Sequence, residues 1–301
     1  MLTPEDLNER YAGDAWGRAL GASVTATSEA QTPALEMTLP FRAQNMNPGG
    51  RTHGGKIATY LVDAGRLLAH GLLAPAGREA RLLDFQVSYL KGGGRETLIA
   101  HARVVRQTRE FLFVHCHVDN AEGEQIARSA LLFRCLPLDG DAPITHHNEP
   151  AEALPLRTLD EMREPRMKMM VDMFNRAMSR LHPGAEVTFM GDGQAQMVQQ
   201  DVADHYDSDG NIAAGQMLML LDNTGGSSGA SLAQEFGMAV TLTIQAAFIE
   251  PARGEALVAN SRTCRREGGL THNEVHIYGA QSRRLKVFGS MTHLVRGMRG
   301  R

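Results

Sequence analysis

The chain reads as an α+β protein built from two copies of one unit, each an antiparallel sheet wrapped around a long central helix. Three observations predict this. The sequence superposes on itself at an offset of 159, with Asp63 on Asp222, Tyr89 on Phe248, Arg103 on Arg262, Arg106 on Arg265 and His117 on His276. The runs Thr-Leu-Ile-Ala at 97–100 and Ala-Leu-Val-Ala at 256–259 coincide at the same offset, as an internal duplication requires. Each copy has one apolar stretch of helical length, near 55–73 and 215–236. Strand-like stretches with β-branched, alternating residues follow each of them. Neither copy alone covers the second face of such a layer, so the expectation is an intramolecular pseudo-dimer.

In chain order, the first copy opens with a helix near 4–20, a strand and a loop, and then its central helix. Strands follow at 82–90, 97–106, 111–119 and 125–136, separated by turn clusters such as Gly92-Gly93-Gly94 and residues 119–123. Residues 137–155 hold four prolines with Asp139, Asp141 and Glu149 and no apolar period, which is linker composition. The second copy repeats the plan, with a helix near 159–181 and strands at 240–249, 256–264, 270–278 and 284–294. The expected division is an N-terminal unit 1–136, a linker 137–155 and a C-terminal unit 156–301.

Of the 301 residues, 43% are hydrophobic, enough for two cores. The net charge of -3 gives no case for a nucleic acid or a charged membrane surface as partner. No apolar run approaches the roughly 20 residues of a membrane span. The polar, acidic start MLTPEDLNER is unlike a signal peptide. Cys116, Cys135 and Cys264 lie far apart among apolar neighbours, which reads as buried thiols in a reducing compartment. A cytoplasmic protein is the expectation.

The chemistry concentrates in Asn47-Pro48-Gly49-Gly50-Arg51-Thr52-His53-Gly54-Gly55, which runs into an apolar helix carrying one acid, Asp63. Backbone N–H groups at a helix start are unpaired and sit at the positive end of the helix dipole. Glycines there let a carbonyl oxygen or oxyanion approach the bare backbone. The segment reads as an oxyanion-binding turn.

Asn-x5-His-Gly-Gly, then an apolar helix with an acid, then the strand 86–90 before a turn, resembles the hotdog-fold acyl-CoA thioesterases. The likeness is to the phenylacetate-degradation (PaaI-like) group in particular. Asn47, Gly50, His53, Gly54, Gly55 and Asp63 carry it, and the Ile-Glu-Pro-Ala-Arg-Gly run at 249–254 resembles the same strand-to-turn passage. The resemblance implies thioester hydrolysis at sites shared between two hotdog units. One unit's loop would supply Asn, His and Gly, and the other unit's helix the acid, as base or nucleophile. It implies no metal or organic cofactor, an acyl-CoA as substrate, and a homodimer of double-hotdog chains.

Two departures divide the copies. In the family the acid usually lies nine residues after the His, whereas Asp63 lies ten after His53. One residue rotates a helical side chain by about 100°, unless a π-bulge absorbs it. In the second copy, placing Gly215 on Gly55 puts Ala213 at the His position and Asp207 at the Asn position, with Asp222 at the spacing of nine. The expectation is one competent site, combining Asn47, His53, Gly54 and Gly55 with Asp222. A degenerate site would combine Asp63 with Ala213, Ala214 and Gly215.

Arg103, Arg106, Arg262 and Arg265 are candidates for the CoA phosphates or plain solvated strand-end charges. His146 and His147 have no third ligand near them in sequence. Asp222 precedes Asn-Thr-Gly-Gly and has a bland reading as a helix breaker, as Asp63 has one as a structural acid paired with an arginine. The rival functions are a non-catalytic acyl-CoA or acyl-ligand binding protein, and a hydratase, which the absence of an acid between Asn47 and His53 disfavours.

Overall fold

A computed structural model describes residues 1–29, 31–138, 148–162, 164–233 and 237–297. By their contacts the residues divide into two compact units, Met1–His147 with Ala203–Gln216, and Asn148–Val202 with Met217–Arg301. The expected linker falls partly outside the described residues, His146 and His147 among them.

The first unit opens with α1 (Pro4–Gly13) and α2 (Ala15–Leu20), where the sequence suggested one helix. Asp14 divides them. It leaves helical geometry, and its carboxylate caps α2 by accepting the Gly17 N–H at 2.7 Å. Two strands follow rather than one, β1 (Ser23–Ser28) and β2 (Ala34–Leu39). The central helix α3 (Gly54–Leu73) precedes β3 (Arg78–Tyr89), β4 (Leu98–Gln107), β5 (Phe111–Asp119) and β6 (Gln125–Pro137). The strands form an antiparallel sheet in the order β1-β2-β4-β5-β6-β3. Alternation in β4 and β5 turns Ala100, Ala102, Cys116 and Val118 inward under α3 and leaves His101, Arg103, His115 and His117 on the other face. Sixteen of the twenty residues of α3 are buried, as a helix in the concave side of a sheet requires.

The second unit has the same plan. A short 3-10 turn (Leu159–Glu161) precedes α4 (Pro165–Leu181), so the helix begins at the proline rather than at 159. Strands β7 (Ala185–Gly191) and β8 (Gln194–Gln199) lead to α5 (Ala214–Ser231), and β9 (Gly237–Phe248), β10 (Leu257–Glu267), β11 (Leu270–Gly279) and β12 (Leu285–Gly297) complete it. Its sheet order, β7-β8-β10-β11-β12-β9, repeats that of the first unit. The expected end of α5 at 236 falls on residues outside the description. Asp222 does not break α5, which runs nine residues past it.

Both central helices are α-helical throughout, with no π-bulge. Their starts, the turns before them and the bridges Met46 to Thr52 and Tyr206 to Ile212 correspond at an offset of 160. The strands after them correspond at 159. One residue is therefore lost between helix and strand in the second copy, and in helix register Asp63 matches Asn223, while Asp222 matches Val62. Cys116 and Cys135 are buried as expected, but Cys264 is exposed, because β10 runs past its partner β8 there.

Tyr60 fastens α3 to the sheet. Its buried hydroxyl donates to the Met37 carbonyl, lies 3.2 Å from the Leu98 carbonyl and accepts the Ala100 N–H at 3.0 Å. Replacing it by phenylalanine strands those groups without water. Tyr60→Phe is expected to cost about 1–3 kcal/mol, measured by urea unfolding.

Candidate active site

The loop before α3 is built from its own polar groups. Asn47 accepts the Arg51 N–H on Oδ1 at 3.2 Å, and its carbonyl accepts the Gly50 N–H at 2.9 Å. Gly50 has a φ of 72°, the left-handed backbone that favours glycine. Asn47 thus closes the turn that sets up His53. His53 is the N-cap of α3, its Nδ1 accepting the Gly55 N–H at 3.0 Å and its own N–H bonding the Asn45 carbonyl at 2.9 Å. With Nδ1 as acceptor, the neutral ring carries its proton on Nε2. The sequence reading gave both glycine N–H groups to a ligand. The structure commits that of Gly55 to His53, while the Gly54 N–H, first in the helix, takes part in no bond of this cap. Tyr89 holds the loop by donating to the Gly54 carbonyl at 2.9 Å.

The corresponding loop of the second copy, Ala203–Gln216, belongs to the first unit. Asp207 closes it as Asn47 closes the other, accepting the Asp209 and Asn211 N–H groups, both at 3.0 Å. Its second oxygen accepts from Arg66 of α3 at 2.7 Å. Arg10 bonds Asp209 at 2.7 Å, and Ala15 N–H bonds the Tyr206 carbonyl at 3.1 Å. Gly215 lies against Thr59, where an added Cβ would fall 2.5 Å from Thr59 Cγ2. Thr59 donates to the Gly215 carbonyl at 3.1 Å.

Asp63 lies beside this loop in the same unit. It is 2% exposed, accepts the Tyr11 hydroxyl at 2.8 Å, and helps line a cavity of about 330 Å³ with Asp14, Arg66 and His70. Its partner is thus a tyrosine, with Arg66 near but bonded to Asp207. Burial, with Asp14 close by, pushes its pKa up to about 8 against the pull of Arg66 and Tyr11. Burial likewise brings Lys56, set over the Trp16 ring at 3.7 Å, down to about 7.

Asp222 belongs to the second unit and has different company. Oδ1 accepts the Thr241 hydroxyl at 2.6 Å and lies 3.8 Å from Nε2 of His293. Thr241 and His293 face one another across β9 and β12, at a bulge that skips Leu242. Asn273 of β11 donates to Nδ1 of His293 at 2.9 Å, which leaves the His293 proton on Nε2, toward Asp222. Thr263 of β10 donates to Asn273 at 2.7 Å. One acid on α5 is therefore backed by polar side chains from four consecutive positions of the sheet. Glycines bring helix and sheet this close, since a Cβ at Gly229 would meet Thr271 Oγ1 at 2.6 Å and one at Gly225 would meet Met291 Sδ at 1.9 Å. Nε2 of His293 is 1% exposed by residue and has no hydrogen-bond partner among the described residues. A gap of 3.8 Å is too long for a direct bond and suits an oxygen bridging both groups.

Thr241 and His293 escaped the sequence reading because the repeat places Leu82 and Arg134 at their positions in the first copy. The available signal was a histidine on the inward period of an otherwise apolar strand. Of the arginines, Arg262 pairs with Glu274 at 2.5 Å and Arg265 with Glu267 at 2.6 Å, both exposed. Arg103 is exposed on the outer face of the first sheet, beside His115 and Arg128 in a cavity of about 420 Å³, and Arg106 is exposed near the end of β4.

A family model described as the thioesterase superfamily matches residues 49–127. No curated protein sequence matches the chain. Among solved structures, the chain is similar to an acyl-CoA thioesterase II from Mycobacterium marinum at 15% identity, over 88% of this chain and 94% of that one, with a TM-score of 0.58. It is equally similar to a conserved protein of unknown function with a hot dog fold from Alicyclobacillus acidocaldarius, at 12% identity over 95% and 98% of the chains, TM-score 0.58. These likenesses establish the hotdog fold. Among the described residues, no helix is long and apolar enough to cross a membrane.

A carboxyl whose folded pKa of about 8 lies above the ordinary 3.8 holds its proton more tightly when folded. Between those values unfolding releases a proton, so rising pH erodes stability. Asp63→Asn, an isostere of the neutral acid, is expected to match the wild-type melting temperature near pH 3, below the ordinary carboxyl range, and to exceed it increasingly as pH rises, by several degrees near pH 8. Calorimetry across that range reads the divergence, and parallel curves would show Asp63 ionised in the fold.

Proposed function

We propose that this protein hydrolyses an acyl-CoA thioester to free acid and CoA, with Asp222 as general base. The observation that carries the reading is that Asp222 faces a buried His293 Nε2, 3.8 Å away, which has no hydrogen-bond partner among the described residues. A water placed between them would donate one proton to Asp222 and accept from His293, which turns its lone pair toward a carbonyl carbon. Thr241 holds the carboxylate in the orientation this needs.

The carbonyl-binding element is the loop 47–55. His53, with its proton on Nε2, and the Gly54 N–H at the positive end of α3 offer two donors for the thioester oxygen, and Asn47 and Gly55 hold His53 in place. Such preorganised donors in a water-poor site contribute several kcal/mol to the transition state. The repeat supports combining this loop with Asp222. Its counterpart loop, Ala203–Gln216, clusters with Asp63 and Arg66, and there Ala213 replaces the histidine while burial keeps Asp63 protonated near neutral pH. On this reading each chain has one competent site. Chemistry of this kind needs no metal or organic cofactor, and the site reads as that of a cytoplasmic enzyme whose chains associate as homodimers. Arg103 and Arg106 remain candidates for the CoA phosphates.

Asp222→Asn is expected to lower kcat on acyl-CoA by about 10²–10⁴-fold, while Asp63→Asn keeps most of the activity, followed by thiol release. The reverse order would refute the assignment of the acid, and acyl-CoA binding with no thiol release would favour a binding protein. Base and nucleophile separate in one turnover with enzyme in excess in H₂¹⁸O. A base puts ¹⁸O into the product acid at once and none into the protein. A nucleophilic Asp222 forms an acyl-aspartyl anhydride that hydroxylamine traps, and water opening it at the aspartyl carbonyl leaves ¹⁸O on Asp222 and ¹⁶O in the first acid released.

A further inference from the structure

On the face of the first unit's sheet away from α3, Glu36, His101 and His117 stand in one row across β2, β4 and β5. Asp119 follows His117 by two residues on the same face. The rings of His101 and His117 stack with centroids 4.8 Å apart and planes at 26°. Both reach one carboxylate oxygen, Oδ2 of Asp119, His101 Nε2 at 3.8 Å and His117 Nε2 at 3.6 Å. One ligand atom from each of the three residues lies within 4.8 Å of the others. Around a zinc ion with bonds of about 2.0–2.1 Å in tetrahedral array, ligand atoms sit about 3.3–3.4 Å apart. The two spacings to Asp119 come within a few tenths of an ångström of that, and the imidazole rings must close from at most 4.8 Å, by side-chain rotation, to complete the array.

The surroundings match a metal site as well. Glu36 Oε2 lies 3.7 Å from Nδ1 of His101, and a small rotation brings it into the hydrogen bond that would fix the tautomer with Nε2 free to ligate. Arg128, opposite His117 on β6, ends the row, and the charges of Glu36 and Asp119 offset it. The side chains of His101, His117 and Asp119 are 36%, 36% and 21% exposed, open to an ion from solvent and to a water as further ligand. The fold does not force this arrangement. In the second unit the same row reads Gln196, Asn260 and His276, with Tyr278 two residues on, and there Gln196 bonds Asn260 while His276 stacks on Tyr278.

We infer that His101, His117 and Asp119 form a binding site for a divalent transition cation of the zinc type, with Glu36 as the carboxylate that orients His101. The site clips β4 to β5 on the face opposite the central helix. It is independent of the thioesterase reading, because the imidazole and carboxylate donors suit such ions whatever α3 covers.

The test uses the full chain after chelator treatment and dialysis, titrated with Zn²⁺ alone by calorimetry and with Co²⁺ as a visible-absorption probe. One ion per chain at micromolar or tighter affinity is expected, with Co²⁺ bands of a mixed nitrogen and oxygen site. The double variant His101→Gln, His117→Asn should lose binding by at least 100-fold, and Glu36→Gln should weaken it about 10-fold. No binding, or equal binding by the double variant, would overturn the site, the second outcome marking adventitious capture elsewhere. Should the double variant misfold, acylation of histidines in the wild-type chain still decides. Zn²⁺ must protect His101 and His117 from diethyl pyrocarbonate, and modification unchanged by Zn²⁺ refutes the proposal.

Discussion

A carboxylate in the middle of an apolar helix, pressed against the concave side of a sheet, is the constraint on which the rest of this structure depends. Such a group is tolerated only if hydrogen bonds hold its charge or a proton removes it. The chain contains the problem twice and solves it in two ways. Asp63 receives one hydroxyl, from Tyr11, beside a second buried acid, and keeps its proton. Asp222 receives Thr241 and faces a histidine whose far nitrogen is anchored by Asn273. The first arrangement lowers the cost of burial. The second surrounds the acid with polar side chains of the sheet.

This difference grows from a one-residue shift. Relative to their helix starts, Asp63 and Asp222 lie ten and nine residues in, on helices with no π-bulge, so the two side chains leave the axis about 100° apart. The glycines and serines of α5 extend the divergence, because they let the helix approach β11 and β12 closely enough for polar side chains to meet across it. Gly65 of α3 and its counterpart Gly225 of α5 both meet apolar side chains, Leu131 and Met291, but α5 adds Gly229 against Thr271, where α3 has Ala69. A duplicated frame thus carries two distinct interiors.

The loops show the same division of labour. Asn47 and Asp207 close equivalent turns with equivalent side-chain bonds to the backbone. The charge of Asp207 adds an ion pair to Arg66, which anchors that loop to α3. The histidine N-cap of α3 has no counterpart in the second copy, where Ala213 stands at its position.

Much of this was legible in the sequence. The duplication, the two central helices, the strands after them and the turn that ends in His53 all follow from local pattern, since period, turn chemistry and capping act over a few residues. The capping role of His53 was not legible, nor was the loss of the Gly55 N–H to it, because the same residues fit a cap and an open anion site. Thr241, His293 and Asn273 were invisible for a different reason. They meet Asp222 only because β9, β12 and β11 are neighbours in the sheet and a bulge at Leu242 turns Thr241 inward, and neither strand order nor bulge position is written in any short window. The row of Glu36, His101 and His117 is the same case on the outer face. Sequence by itself determined which elements form and which polar residues they carry. Tertiary structure alone decided which of those residues share a site, because register and strand order are set by contacts between segments far apart in the chain.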